Sequence, residues 1–269
     1  MPNNLSDLEW QSQMGVDETI ENKPQNRFEK KKKKEKAAAK PAKISQVKNV
    51  QLGQKNKVKP NIASPSSTAT QTRSVADACN TLEELRKAVH DFKDLSIVKT
   101  ATNTVFSDGN PESDIMFIGE APGAEEDAKG IPFCGASGQL LDKMLACIDL
   151  SRAKNFYISN TVFWRPPGNR RPTPEELATC LPFVEKHISI IKPKLIILVG
   201  GTAVTSLLGS KEGITKMRGN FYDYSNQYLS DAIKTTAIFH PSYLLRSPGQ
   251  KRVAWKDLLK LKEYMDTNA

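Results

Sequence analysis

Beyond residue 76 the apolar positions follow two rhythms that take turns along the chain. Short, dense runs at Ile115–Ile118, Phe156–Val162, Leu195–Val199 and Thr235–Phe239 have the length and composition of strands. Leu195–Val199 is continuous, as expected of a strand buried on both faces of a parallel sheet. Between the runs, apolar residues recur three and four apart, the spacing of an amphipathic helix. Ser137–Ile148 puts Leu140, Leu141, Met144, Leu145 and Ile148 on one face. Strands alternating with helices imply a parallel sheet covered on both sides. The pattern therefore predicts an α/β domain with a central four-stranded parallel sheet flanked by helices.

Polar punctuation agrees with that reading. Thr81-Leu82-Glu83-Glu84 is a capping box, and the helix it opens should extend to about Phe92. Thr173-Pro174-Glu175-Glu176 combines a Thr N-cap, Pro at the first helical position and Glu at the third, opening a helix to about Ile191. Gly200-Gly201 turns into a short helix, Thr202–Leu208. Ser247-Pro248-Gly249-Gln250 caps a final helix carrying Val253, Trp255, Leu258, Leu259 and Leu261. Residues 100–111 read as a loop and residues 210–232 as irregular.

Upstream the periodicity fades. Residues 1–21 hold Leu5, Leu8, Trp10 and Met14, enough for a short helix docking on the domain or on a partner, or for a partly ordered tail. Residues 22–75 are rich in Lys, Ala, Pro, Ser, Thr, Gln and Asn. They bury too little apolar surface to offset chain entropy and read as a disordered, Lys-rich linker ahead of a domain at 76–269. Charge sharpens the division: residues 1–75 carry 15 Lys/Arg against 7 Asp/Glu, nearly all of the net charge of +9. The run Lys30–Lys34 could attract nucleic acid by counterion release, without reading sequence, or serve as a solubilising linker.

Four cysteines (Cys79, Cys134, Cys147, Cys180) without CxxC spacing suit reduced thiols in a cytoplasmic protein. No stretch has the length of a membrane helix, and the N-terminus lacks the layout of a signal peptide. Zinc spacing and nucleotide phosphate loops are absent, which argues against nucleotide-triphosphate and dinucleotide enzymes.

In a parallel sheet the loops that follow strands meet at one edge. Here those are Gly119–Phe133, Asn160 with its WRPPGNRRP extension, and His240–Arg246. They bring carboxylates (Glu120, Glu125, Glu126, Asp127), an aromatic (Phe133), an amide (Asn160), an imidazole (His240) and arginines (Arg165, Arg170, Arg171, Arg246). Such a set suits a planar, amide-bearing base attached to a phosphate backbone. A ring stacks, an Asn side chain offers one donor and one acceptor, and arginines hold phosphates. Each residue also has a plainer role: Phe133 in the core, His240 capping a strand end, and Glu125–Asp127 as a solvated turn. His187 reads as structural and His90 as solvent-facing.

Five ordered blocks, GEAPGAEEDAKGIPFCGASGQLLDKML, YISNTVFWRPPGNRRPTPEE, IILVGGTA, GITKMRG and HPSYLLRSPGQKR, resemble the thermophile-type (family 4) uracil-DNA glycosylases from about Thr100 to Leu261. The resemblance implies that family's fold, a four-stranded parallel sheet between helices. It implies a repair enzyme that flips deoxyuridine out of DNA, hydrolyses the N-glycosidic bond and leaves an abasic site. By position, Gly119 and Glu120 lie beneath the uracil, Glu126 is the acidic residue implicated in cleavage, Phe133 stacks on the base and Asn160 reads its edge. His240 sits near the developing O2 charge, so Glu126, His240 and Glu120 form the implied catalytic set. The following Pro241–Arg246 loop, with Ser242, Leu244, Leu245 and Arg246, enters the DNA; Leu244 or Leu245 fills the vacated stack, and Arg165, Arg170 and Arg171 hold phosphates.

Many members hold a four-iron cluster on four cysteines. Aligned on KTATN and RPPGN, this chain has Phe92, Leu95 and Trp164 at three of those positions and retains only Cys180. One thiolate cannot hold a cubane cluster, so a glycosylase without a metal cofactor is expected, with apolar packing in place of the cluster. The expected partner is uracil-containing DNA, met by a monomer associated with the nucleoid, with residues 1–75 contacting DNA non-specifically or a protein partner. Two other readings stay open: a non-catalytic DNA-binding or replication-associated domain of this fold, and a related glycosylase with another base preference.

Overall fold

Residues 67–268 are described in the structure, a computed structural model. Three helices come first: α1 (Ser67–Ala78), α2 (Leu82–Asp91) and α3 (Ser96–Thr100). Strands β1 (Ser107–Gly109) and β2 (Ile115–Gly119) follow, then helices α4 (Ala124–Lys129) and α5 (Ala136–Ala146) and strand β3 (Tyr157–Asn160). Helix α6 (Pro174–Ile191), β4 (Leu195–Val199), α7 (Gly201–Leu208) and α8 (Ile214–Met217) lead to β5 (Phe221–Tyr224) and β6 (Ile233–Ile238). The chain closes with α9 (Pro241–Arg246) and α10 (Lys251–Asn268).

The strands form one sheet in the order β1-β3-β2-β4-β6-β5. Its inner four are parallel, as the apolar runs predict. Side chains alternate across it. Met116, Ile118, Tyr157, Ile196 and Leu198 pack towards α1, α2, α6 and α7. Phe117, Ile158, Leu195, Ile197 and Val199 pack with Leu141 and Leu145 of α5 and with Leu258 and Leu261 of α10. Both faces are thus buried, and the architecture is three-layered. The chain steps from β2 to β3 on one side and then crosses to β4 on the other. The strand order therefore reverses beside β2, the place where open α/β sheets leave a crevice at the carboxyl ends of their strands.

Local signals hold where the chemistry is local. The expected capping box at Thr81 and the expected N-cap at Thr173 both form: Thr81 accepts the N–H of Glu84, and Thr173 accepts that of Glu176. Four expectations are corrected. Among the described residues the sheet has six strands, because β1 pairs antiparallel with β3 and β5 with β6; Ser-Asp-Gly has no strand preference of its own and is extended by its partner's backbone. The loop after β2 contains α4, whose first turn holds the acidic cluster. Pro241–Arg246 is a helix, capped at its start by His240, and not an open loop. Helix α1 begins ahead of residue 76, inside the stretch read as linker; Arg73 on it pairs with Glu185 of α6, and Thr72 is fully buried. The expected helix within 1–21 and the run Lys30–Lys34 lie outside the described residues.

Candidate active site

Register alone brings the first two site residues together, since Gly119 at the end of β2 pairs with Asn160 at the end of β3. The neighbouring backbone is tied across: Thr161 donates its N–H to Gly119 O at 2.9 Å and its hydroxyl to Glu120 O at 2.6 Å. Here β2, β3 and β6 end around a cavity of about 280 Å³, lined by Glu120, Glu126, Phe133, Asn160, His240 and Arg246 among others.

Asn160 is 2% exposed, and its Oδ1 has no hydrogen-bond partner. A buried acceptor left unpaired costs free energy, and this one lies in the wall of the cavity. Gly119 makes the arrangement feasible: a Cβ there would overlap the Phe133 ring and crowd Asn160 Oδ1 at 2.5 Å. Phe133 is buried, with its ring centroid 5.8 Å from that of His240. Its backbone is left-handed at φ 53°, an outlier for a bulky residue. Gly138, in the first turn of α5, admits the Phe133 carbonyl, which any side chain at 138 would displace.

His240 follows β6 and caps α9. Its Nδ1 accepts the backbone N–H of Ser242 at 3.2 Å and lies 2.8 Å from the Ser242 hydroxyl. Accepting an N–H leaves Nδ1 unprotonated, so the neutral ring carries its proton on Nε2. Burial lowers the His240 pKa below the usual histidine value; Glu120 and Glu126 oppose this and Arg246 adds to it.

The carboxylates divide into different tasks. Glu126 is buried; one oxygen accepts the N–H of Gly123 and the other that of Gly135, each at 3.1 Å. It thus spans the segment that carries Phe133. Glu120 is half-buried and accepts the Thr202 hydroxyl at 2.5 Å. Asp127 turns away, accepting the N–H groups of Thr102 and Asn103, and exposed Glu125 lies near Lys129.

The outer residues are sorted by the fold. Arg246 and Ser242 line the cavity, while Leu245 is exposed beside them. Leu244 is fully buried with Phe239 and Ala254, which removes it from any role in a base stack. Arg170 lines the rim, and both Nη atoms donate to Glu176, at 2.9 and 2.7 Å. Arg165 donates to Asn169 Oδ1 at 2.7 Å, and Arg171 is exposed. Ser137, Asn169 and Thr202 belong to the site without having drawn attention in the sequence. Ser137 stands two residues after Gly135, the N-cap of α5, and Thr202 follows Gly200-Gly201; a small polar residue just after a glycine at a helix start was the available signal.

At the positions aligned with cluster cysteines, Phe92, Leu95, Trp164 and Cys180 are all buried in one apolar cluster. The Phe92 ring lies 5.9 Å from Trp164 and 5.7 Å from Phe183. Burial pushes the Cys180 thiol far above its usual pKa, opposite to what a metal-binding thiolate needs. No group of three or more His, Cys, Asp or Glu side chains suited to a metal occurs among the described residues.

Residues 106–259 match the family model described as the uracil DNA glycosylase superfamily. Among curated proteins the chain is 42% identical over 167 residues to a type-4 uracil-DNA glycosylase of Thermotoga maritima, covering 61% of this chain and 84% of that protein. It is 35% identical to one from Sulfurisphaera tokodaii (68% and 84% covered) and 34% identical to one from Archaeoglobus fulgidus (68% and 92%).

Proposed function

The chain belongs to the uracil DNA glycosylase superfamily, and on that premise we propose that it excises uracil from DNA by hydrolysing the N-glycosidic bond of deoxyuridine. The observation that carries the reading is the unpartnered Oδ1 of Asn160, set in the cavity wall beside Phe133 and His240. An imide base supplies what this acceptor lacks: its N3–H donates to Oδ1, and the flanking carbonyls accept from donors nearby. Cytosine, with a bare N3, would set acceptor against acceptor at that position.

Extruding the nucleotide costs a few kcal/mol, offset by stacking on Phe133 and pairing with Asn160. Bond cleavage sends an electron pair into the base and leaves an oxocarbenium-like sugar. His240 Nε2–H, held in that tautomer by the Ser242 N–H, can donate to the developing O2 charge, where a preorganised donor acts more strongly than water. Glu120 and Glu126 lie on the same cavity and oppose the positive charge on the sugar. Water then adds to the sugar, and its proton leaves to a carboxylate or to solvent. Arg246 meets phosphate at the rim, and exposed Leu245 fills the gap left by the flipped base.

The cluster held by many members does not fit these residues: the aligned positions offer one neutral, buried thiol amid aromatic packing. We propose that packing does the cluster's structural work here and that the enzyme acts as a metal-free monomer. Among the described residues no helix is long and apolar enough to cross a membrane. A site on intracellular DNA suits the chemistry, with the basic residues 1–75 adding non-specific DNA affinity.

The test is incubation with oligonucleotides carrying one uracil, single-stranded or opposite G or A, followed by alkali. Strand breaks at uracil are expected; intact strands in all three, with DNA binding retained, would leave a binding module instead.

A further inference from the structure

A left-handed backbone at a bulky residue persists only where its surroundings over-determine it. Around Phe133 they converge on a side chain outside the cavity lining. Arg152, in the turn between α5 and β3, donates Nη1 to Pro132 O at 2.6 Å and Nη2 to Phe133 O. Two further N–H groups are anchored on two elements: Nε donates to Asp142 Oδ1 on α5 at 2.9 Å, and Nη1 to Asp108 Oδ2 on β1 at 3.0 Å. The guanidinium side chain is 17% exposed. Its turn is fixed in turn by Asn155, which accepts the N–H of Ser151 and donates to Asp149 O, both at 2.8 Å.

We propose that Arg152 is a positioning residue for base recognition: its planar fork grips two consecutive carbonyls and holds Phe133 in the backbone conformation that presents its ring to the flipped base. Two successive carbonyls point at one guanidinium when the residue between them is helical in conformation and not extended, and at Phe133 that conformation is the left-handed one. Asp108 and Asp142 neutralise the cation and fix its plane, so the edge strand and α5 both contribute to the pocket without touching the base. A lysine would keep the charge beside the two carboxylates but lacks the rigid fork that four acceptors require. The proposal rests on Phe133 as the stacking ring.

The test compares R152Q, R152K, F133A and the double variant R152Q/F133A in steady-state uracil release. Fluorine NMR of fluorophenylalanine-labelled protein, with F133L identifying the Phe133 signal, supplies a second readout. R152Q is expected to lower kcat/KM by about 10²-fold, the scale of an ångström-sized misplacement, with little recovery in R152K. In the F133A background R152Q should cost nothing further. The Phe133 resonance should shift or broaden in both Arg152 variants while the other phenylalanine signals hold. Equal losses in both backgrounds, an unmoved Phe133 resonance, or wild-type release by R152Q would overturn the proposal. If wild-type protein releases no uracil, the activity reading fails separately and the NMR comparison still decides the role of Arg152. Should R152Q not fold, R152K and R152K/F133A carry both readouts.

Discussion

Ser242 donates its backbone N–H to Nδ1 of His240 at 3.2 Å, so the first turn of α9 determines which nitrogen of the imidazole can donate into the cavity. Burial lowers the His240 pKa below 6.5, which favours the neutral ring at neutral pH. The sign follows: kcat/KM should hold as pH falls through 6.5 and decline only below it, as the folded-state histidine protonates. Stability linked to this group is complete above the unfolded value and is lost as pH falls towards the depressed one. A pH–rate profile whose acid limb lies above 6.5 would contradict the neutral donor.

Asn160 carries an unpaired buried oxygen, so activity and stability should separate there. Asn160→Ala should cut uracil release by orders of magnitude while leaving Tm unchanged or raised, because removing an unsatisfied buried acceptor relieves a desolvation cost. Thermal melts beside release assays check both halves.

Glu126 is a brace as well as a cavity residue, since each of its oxygens takes a backbone N–H. In Glu126→Gln, one amide N–H₂ must face another N–H. A stability loss of about 1–3 kcal/mol is expected from a stranded buried donor, alongside reduced activity. A variant with normal denaturant midpoint and low activity would assign Glu126 to chemistry alone.

Two arginines on the rim should behave differently. Arg246→Ala should weaken DNA binding and lower the salt slope by about one phosphate contact. Arg170→Ala should leave that slope unchanged and lower Tm instead, because it strands the buried Glu176 carboxylate. Salt titrations of binding, run beside melts, separate them.

The neighbouring leucines divide in the same way. Leu244, 0% exposed, should cost about 2–5 kcal/mol on truncation to alanine. Leu245, 44% exposed, should leave Tm near wild type and slow release from duplex DNA more than from single strands. Kinetics on the two substrate forms measure the difference.

What was legible beforehand was what neighbouring residues decide among themselves. The four inner strands, the helix caps at Thr81 and Thr173, and the amphipathic face of α5 depend on spacing and side-chain chemistry within a few positions. The convergence of Gly119, Phe133, Asn160 and His240 also followed, because parallel strands deliver their carboxyl ends to one edge. The edge strands β1 and β5 did not, since their extension comes from hydrogen bonds to β3 and β6. Nor could spacing tell Leu244 from Leu245, or reveal that Arg170 is already paired.

The sequence by itself determined the parallel core and the inventory of the site: which four inner strands exist, which loops meet, and which ring, amide, imidazole and charged side chains those loops carry. Tertiary structure decided the employment of each group. Glu126 became a brace, Arg170 a partner of Glu176, and Arg152, unremarkable in its turn, the grip on the Phe133 backbone. The physical reason is that strand runs and helix faces arise from interactions along the chain, whereas a charged group's role depends on which partners reach it. Those partners, such as Asp108 and Asp142 for Arg152, come from distant positions and meet only once the layers have packed.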